Sequence, residues 1–431
     1  MLDIQFVRDN KDLVKEKSQQ KGYDIDVSQL LKLDDKRKLL IQETEAVRAK
    51  INVQTKSFEG KAPTQTQRDA VKALKEKISS SEKLLAVVDT DYWQLLKTVP
   101  NMPATDVPVG SGEDDNKVVK TVGIPPKFDF EAKDHWQIGK QKGWIDKERA
   151  AKVAGARFTY LKGDLVKLQF ALWQFALDKL SDEKVIKEII DASKLKVSPK
   201  PFVPVLPPAM ARTKIYESTG RLNKEEQTYK LDGDDLWLNA SAEHTLAPMY
   251  SGEILSEAEL PIRYVGSTTA FRREAGTYGK DMEGILRLHQ FDKLEMESFS
   301  LPEESADEHL LMIAIQEYMM RQLDLPYQVV LKCTAEIGGP NARGVDIEAW
   351  LPGQNRYRET HTADYLTDYQ ARRTGTRVRR KNGTIQLVHN NDATAFSQRP
   401  LIAIIENNQT TDGDVVVPNV LRPYMGGRDK I

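Results

Sequence analysis

Cysteine is nearly absent. Cys333 is the only one in 431 residues, which excludes an internal disulfide and a multi-cysteine zinc site. Histidine is scarce too, and the six present form no H-E-x-x-H pair of metal ligands. Neither G-x-x-x-x-G-K-[ST] nor G-x-G-x-x-G occurs. A nucleotide bound by this chain would therefore be held by means other than a glycine cradle at a helix start. Long apolar runs are missing as well: stretches such as Leu310 to Ile315 fall far short of the ~20 residues of a membrane span. The opening Met1-Leu2-Asp3-Ile4 is charged early and lacks a secretory pattern. The expectation is a soluble cytoplasmic protein with no membrane partner. Charge of one sign is not in excess either, with 63 Lys and Arg against 64 Asp and Glu, a net charge of −1. A polyanionic partner would have to meet a local basic surface rather than the field of the whole molecule.

At roughly 150 residues per domain, the length accommodates two or three domains. From about Val27 to Val99 the chain is poor in glycine and proline except at Glu59-Gly60-Lys61-Ala62-Pro63, which reads as the turn of a helical hairpin. In its second half Val71, Leu74, Ile78, Ser81, Leu85, Val88, Tyr92, Leu95 and Val99 recur at alternating three and four spacing, a coiled-coil seam. In the first half Leu30, Leu33, Leu40, Val47 and Ile51 fit a seam that Arg37 and Thr44 interrupt. The hairpin carries Lys36, Arg37, Lys38, Arg48, Lys50, Lys56, Lys61, Arg68, Lys72, Lys75 and Lys77 among interleaved acids. These residues fit a solvated helical surface with i to i+4 pairs, or a surface that tracks phosphates.

Pro100 to Gly123 is rich in Pro, Gly, Asp and Asn and reads as a connection. The expected division is a helical arm over 1–105, a linker over 106–125 and a second domain over 126–431. In that domain Asp164 reads as the N-cap of a helix with the apolar face Leu165, Leu168, Leu172 and Phe175, and another helix spans Ala306 to Leu323. Strand-like segments cover Ile262–Phe271, Ile285–Glu297, Gln328–Lys332, Val345–Trp350, Arg377–Arg379, Thr384–His389 and Leu401–Ile405. Asn382-Gly383 signals a type I′ hairpin turn. The pattern predicts an α+β domain on an antiparallel sheet.

Three constellations could carry chemistry. Phe271-Arg272-Arg273-Glu274-Ala275-Gly276 leads into a glycine-rich loop to Gly284 and a returning strand. Arginines at the base of such a hairpin suit phosphate oxygens, because guanidinium offers paired donors and a permanent charge. A period of two puts Arg287, His289, Phe291, Lys293 and Glu295 on one face, either a site or an exposed polar surface. In the second constellation Asp346 and Glu348 share a face opposite Val345 and Ile347. Downstream, Glu359 with Thr362 offers hard oxygen ligands for Mg2+; the alternative is a polar turn after a half-exposed strand. The third constellation, Arg372-Arg373 with Arg377, Arg379, Arg380 and Lys381, fits a solvated hairpin edge.

Phe271 to Gly276, HQFDKLEM (289–296), WLPGQNRYRE (350–359), DYQARR (368–373), IENNQ (405–409) and VPNVLRPYMGG (417–427) together resemble the bacterial-type seryl-tRNA synthetases, which are class II aminoacyl-tRNA synthetases. VPNMP (99–103), GEDDN (112–116), FDFEAKDHW (128–136) and AAKVAGARFTYLKGD (150–164) extend the resemblance over essentially the whole chain. It implies an antiparallel coiled-coil arm joined to a class II catalytic domain, an antiparallel sheet flanked by helices, working as a homodimer. It implies ATP-dependent attachment of L-serine to tRNA(Ser) through a seryl-adenylate, with ATP and Mg2+ as cofactors and the arm gripping the tRNA. Whether tRNA(Sec) is also charged is left open.

By the same resemblance Arg272 is an α-phosphate ligand and Glu274 an adenine contact. Phe291 is the ring that stacks on adenine, and Arg273, Leu288, Thr360 and His361 complete the ATP site. Ser241, Ala242, Glu243, Glu295 and Thr394, together with Arg272, form the serine pocket. Glu359 and Thr362 are the Mg2+ and ATP positions and Arg399 lies near the γ-phosphate, so Arg272, Glu359 and Arg399 are the catalytic set. Phe202, Val205 and Pro208 match the motif used in dimer packing. Three places depart from the pattern: residues 391–400 are one residue short, Asp364-Tyr365 replaces Ser-Asn and Ala335-Glu336 replaces Gly-Asp. The alternatives are a relative that loads amino acids onto another carrier, against which the arm argues, and a catalytically silent RNA-binding protein.

Overall fold

The computed structural model describes all residues except 59, 61, 223–227 and 275–282. Glu59 and Lys61 of the expected turn and residues 275–282 of the glycine-rich loop therefore lie outside the described residues. The chain forms two units, Met1–Met102 and Pro103–Ile431.

In the first unit, helices α1 (Ile4–Asp9) and α2 (Lys11–Gln20) precede the long pair α3 (Val27–Lys56) and α4 (Gln65–Thr98). Asp26 caps α3 by accepting from the Gln29 amide, and Thr64 with Gln67 forms a reciprocal capping box on α4. The seam expected in α4 is the face withdrawn from water, with Val88 and Tyr92 buried and neighbours such as Val87 and Lys72 exposed. In α3 both interruptions are accommodated. The buried Thr44 hydroxyl donates back to the Leu40 carbonyl at 2.7 Å. Arg37 pairs with Asp89 of α4 and lies 5.3 Å and 5.8 Å from the ring centroids of Tyr92 and Trp93. Leu2, Val7, Val14, Leu30, Tyr92 and Leu96 close an apolar cluster in the same unit.

The second unit is built on an eight-stranded sheet. Its strands in chain order are β1 (Lys117–Val122), β2 (Val203–Val205), β3 (Ile262–Phe271), β4 (Gln290–Ser300), β5 (Tyr327–Leu331), β6 (Arg343–Leu351), β7 (Arg356–Tyr365) and β8 (His389–Ser397). Their spatial order is β1-β5-β6-β7-β8-β4-β3-β2, antiparallel except for the β2–β3 pair. Alternation along β4 and β6 sends Leu294, Met296, Val345, Ile347, Ala349 and Leu351 to one face. There they join residues of α5 (Asp164–Leu180), α7 (Ser305–Gln322) and α8 (Gln398–Asn407) in one core, while α6 (Glu183–Ser193) packs against α7. Asp346 and Glu348 take the opposite face, bonded to Lys332 and Gln328. Among the described residues no helix is long and apolar enough to cross a membrane.

Several expectations are corrected. Leu401–Ile405 is not a strand but part of α8, whose first turn is capped by Ser397 accepting from the Arg399 amide. A five-residue apolar run carries no period of its own, so burial on all sides reads alike for strand and helix. The 106–125 stretch is not wholly a connection, because Lys117–Val122 pairs with β5 as an edge strand. Its partner lies some two hundred residues away, beyond the reach of local composition. Asp164 is the first helical residue, with Gly163 at the cap. Asn382-Gly383 does sit in a hairpin, but only Gly383 has a positive φ, +86°. The Arg380 amide bonds Thr384 and the Gly383 amide bonds Arg380, which makes a three-residue loop rather than a type I′ turn.

One buried group gives this core a pH signature. His309 of α7 donates from Nε2 to the Ala363 carbonyl of β7 at 3.0 Å, and burial first of all pushes its pKa down from 6.5 to about 4. The unfolded chain therefore binds a proton that the folded chain refuses. The contribution is complete above pH 6.5 and is lost as pH falls towards 4. His309→Gln keeps a donor for Ala363, and its melting temperature is expected to fall less steeply across that window. An equally steep fall in the variant would contradict this origin.

Candidate active site

On the face away from α7, the sheet holds a cavity of about 300 Å³. Two bulges shape it. In β7 the register slips so that Ile347 faces His361 while Glu348 faces Glu359, leaving Thr360 as the extra residue. Glu359 and Thr362, three apart, thereby reach the same side, with Thr362 Oγ1 donating to Glu359 Oε1 at 3.2 Å. In β8 the slip falls at Ala395, between Thr394 opposite Glu295 and Phe396 opposite Leu294. Thr394 and Ser397 both line the cavity as a result.

Charges inside are paired with one another. Arg399 holds Glu359 from its Nη1 at 2.9 Å to Oε2 and 3.1 Å to the main-chain carbonyl. The Glu359 side chain is 45 % exposed, yet the protein still displaces much of its water. That desolvation would raise its pKa, but the charges of Arg399 and Lys332 outweigh it and bring the value down to about 2. Asp346 shows the opposite balance. Burial lifts it to about 7 although Lys332, at 3.4 Å, pulls it down. On β4, Lys293 pairs with Glu295 Oε2, which also accepts from Ser241 Oγ at 3.0 Å. Arg272 donates from Nε to the Ala240 carbonyl at 3.2 Å, and its guanidinium lies 5.2 Å from the Phe291 centroid.

Twelve of the expected site residues open onto this cavity: Ser241, Glu243, Arg272, Glu274, Leu288, Phe291, Glu295, Glu359, Thr360, Thr362, Thr394 and Arg399. Three do not. Ala242 is fully buried, its carbonyl accepting from the Leu246 amide in the turn that presents Ser241 and Glu243. Arg273 turns away to the Thr228 carbonyl and the Tyr229 ring. His361 packs beside Phe396 on the core side, where burial lowers its pKa to about 3. The period of two correctly groups Arg287, Phe291, Lys293 and Glu295, but β4 begins only at Gln290 and His289 faces elsewhere, its Nδ1 bonded to the Arg272 carbonyl. Sequence reasoning missed Arg221, Lys332, Asp392, Ser397 and Gln398 as lining residues. Arg221 and Lys332 stand in no local motif; Asp364, another lining residue, showed only as a departure from pattern.

One wall is secured from far away in the chain. His135 Nδ1 lies 2.8 Å from Glu406 Oε1, and its Nε2 accepts the Ile285 amide at 3.2 Å, so Nδ1 carries the proton. Ile285, Leu286 and Leu288 are thereby held against the cavity. Gly284, at φ +74°, lets the backbone pass; a Cβ there would stand 2.0 Å from His135 Nε2. Residues of two motifs, DHW and IEN, thus meet to fix a third segment.

A family model described as the Seryl-tRNA synthetase N-terminal domain matches residues 1–103, and one described as the tRNA synthetase class II core domain (G, H, P, S and T) matches 227–408. The serine–tRNA ligase of Syntrophotalea carbinolica is 40 % identical over the full length of both chains. The chain belongs to the seryl-tRNA synthetase family. Another family member, the serine–tRNA ligase of Thermodesulfovibrio yellowstonii, is 39 % identical over 99 % of each chain. The crystal structure of seryl-tRNA synthetase from Pyrococcus horikoshii complexed with ATP superposes with a TM-score of 0.87 at 34 % identity, covering 100 % of this chain and 99 % of that one. The cytoplasmic serine–tRNA ligase of Naegleria fowleri in complex with AMP gives 0.83 at 29 % identity, covering 100 % and 98 %.

In this family member Lys332 is the cation shared by Asp346 and Glu359. Lys332→Met is expected to move both carboxyl titrations upward, Asp346 from about 7 and Glu359 from about 2. Carbon-13 NMR of the side-chain carboxyls would read the shifts, and unchanged values would show that Lys332 does not set them.

Proposed function

We propose that this cavity carries out the ATP-dependent attachment of L-serine to tRNA through a seryl-adenylate, with the residue roles given below. The observation that carries the reading is that Arg272, Glu295 and Glu359 open onto one cavity. Arg272 meets the α-phosphate of ATP, Phe291 offers a π face to adenine, and Glu274 receives its amino group. The carboxylates of Glu295 and Glu243 face the ammonium group of serine, and Thr394 bonds its hydroxyl. A pocket that hydrogen-bonds the hydroxyl rejects alanine, because its own polar groups would be left unpaired.

In the first step a serine carboxylate oxygen attacks the α-phosphorus and the bond to the β-phosphate oxygen breaks, releasing pyrophosphate. In the second a ribose hydroxyl of the tRNA's terminal adenosine attacks the seryl carbonyl and AMP leaves. No side chain acts as a nucleophile. Negative charge builds on the phosphoryl oxygens, so the contribution of Arg272 and Arg399 is fixed positive charge, already in place before reaction. Glu359 and Thr362, oxygen donors in contact on the wall, would hold Mg2+, a hard cation that favours oxygen ligands. When bound, that ion neutralises phosphate charge.

The arm serves as the tRNA handle. Lys50, Lys56, Lys72 and Lys75 are exposed on it and pair with no acid among the described residues, which suits contacts to a phosphate backbone. A homodimer is favoured by the edge strand β2, where Val203 and the following Leu206 are 52 % and 87 % exposed; Phe202 itself is turned into the core. We place the protein in the cytoplasm.

Arg272→Ala should cut serine-dependent ATP–pyrophosphate exchange by about a hundredfold or more and leave the dimer intact by light scattering; ordinary exchange would refute the phosphate role. Reversing the charge of Lys50, Lys56, Lys72 and Lys75 should weaken tRNA charging about tenfold or more and spare exchange. A parallel loss of both activities would remove the arm as a separate RNA handle.

A further inference from the structure

Arg221 has no part in the mechanism above, yet it is 7 % exposed and stands among carboxylates. Its Nε lies 2.9 Å from Glu243 Oε1, and its Nη2 lies 3.1 Å from Asp364 Oδ2 and 3.5 Å from Asp392 Oδ2. Asp364 of β7 and Asp392 of β8 are direct cross-strand partners, and the next residue along the same row is Glu297 of β4. Three carboxyl groups in line across adjacent strands repel one another. Burial above all, then the charge of Glu243, pushes the pKa of both Asp392 and Glu297 well up, and Arg221 opposes this at each.

The second observation concerns Glu243. Its Oε1 takes two donors, Arg221 Nε and Gln370 Nε2 at 2.6 Å. Gln370 is itself fixed, donating to the Thr219 carbonyl at 2.9 Å and accepting from Asn390, which also donates to Glu297 Oε1 at 3.1 Å. With Oε1 engaged from two sides, the other oxygen is left for the cavity that Glu243 lines. We propose that Arg221 is a positioning residue of the amino-acid pocket. It tethers one oxygen of Glu243 while balancing Asp364 and Asp392, and so aims the other oxygen at the ammonium group of serine. The inference rests on the reading of Glu243 as a serine-binding residue.

Removing Arg221 alone would leave two aspartates unbalanced and could unfold the chain. The decisive comparison is therefore made in a background that has lost both aspartate charges and keeps only the Glu243 contact: Asp364→Asn/Asp392→Asn with Arg221 present, and the same pair with Arg221→Gln. The full chains should melt at similar temperatures. In serine-dependent exchange, loss of Arg221 should raise the KM for serine about tenfold and leave the KM for ATP unchanged. Equal serine KM values in the two proteins would reduce Arg221 to a structural counter-charge, and equal rises in both KM values would overturn the specific tether. Glu243→Gln separates the two layers of the inference. A raised serine KM there, with no difference between the paired backgrounds, sinks Arg221 alone. An unchanged serine KM in Glu243→Gln sinks the pocket assignment and the tether with it.

Discussion

A pleated strand shows alternate residues to its two faces, and the cavity depends on breaking that rule twice. Without the extra residue at Thr360, Glu359 and Thr362 would point to opposite sides of the sheet. Without the one at Ala395, Thr394 and Ser397 would part in the same way. Each bulge leaves the core side intact, because His361 and Phe396 stay together below the sheet. The site is thus gained by shifting one residue per strand, at no cost to the apolar face that holds the domain together.

The cavity then faces a second constraint, since it must keep many charges in a small volume that is only partly wet. Pairing between neighbouring side chains meets it. Arg399 holds Glu359, Lys293 holds Glu295, Lys332 stands by Asp346, and Arg221 reaches Glu243, Asp364 and Asp392. Charges fixed in this way need no reorganisation when a highly charged substrate arrives, which is where electrostatic preorganisation has its effect. The divergent pKa values of Glu359 and Asp346, about 2 and about 7, show how far position decides the state of chemically similar groups.

Much of this was legible in the sequence where the signal is local. The α4 seam, the β3 bounds, the opposed faces of β6 and most of the cavity lining follow from spacing or from motif resemblance. What was not legible depends on distance. Whether a buried apolar run such as Leu401–Ile405 coils or extends is settled by its neighbours in space, and β1 is a strand only because β5 offers it an edge. His361 sits within a motif, yet the bulge beside it turns its ring to the core. Arg221 and Lys332 belong to no pattern at all; their importance lies in which acids the fold brings to them.

The Arg37 crossing in the amino-terminal pair has a wider meaning. An apolar seam alone tolerates sliding by a heptad, since one leucine substitutes for another. A cation that meets an aspartate and the rings of Tyr92 and Trp93 on the other helix favours one alignment over its neighbours. With the alignment pinned, the distance from this lock to the far turn becomes a fixed length, roughly 1.5 Å for every residue of helix. The hairpin is thereby a ruler with a marked zero, its reach set by the number of residues beyond Arg37.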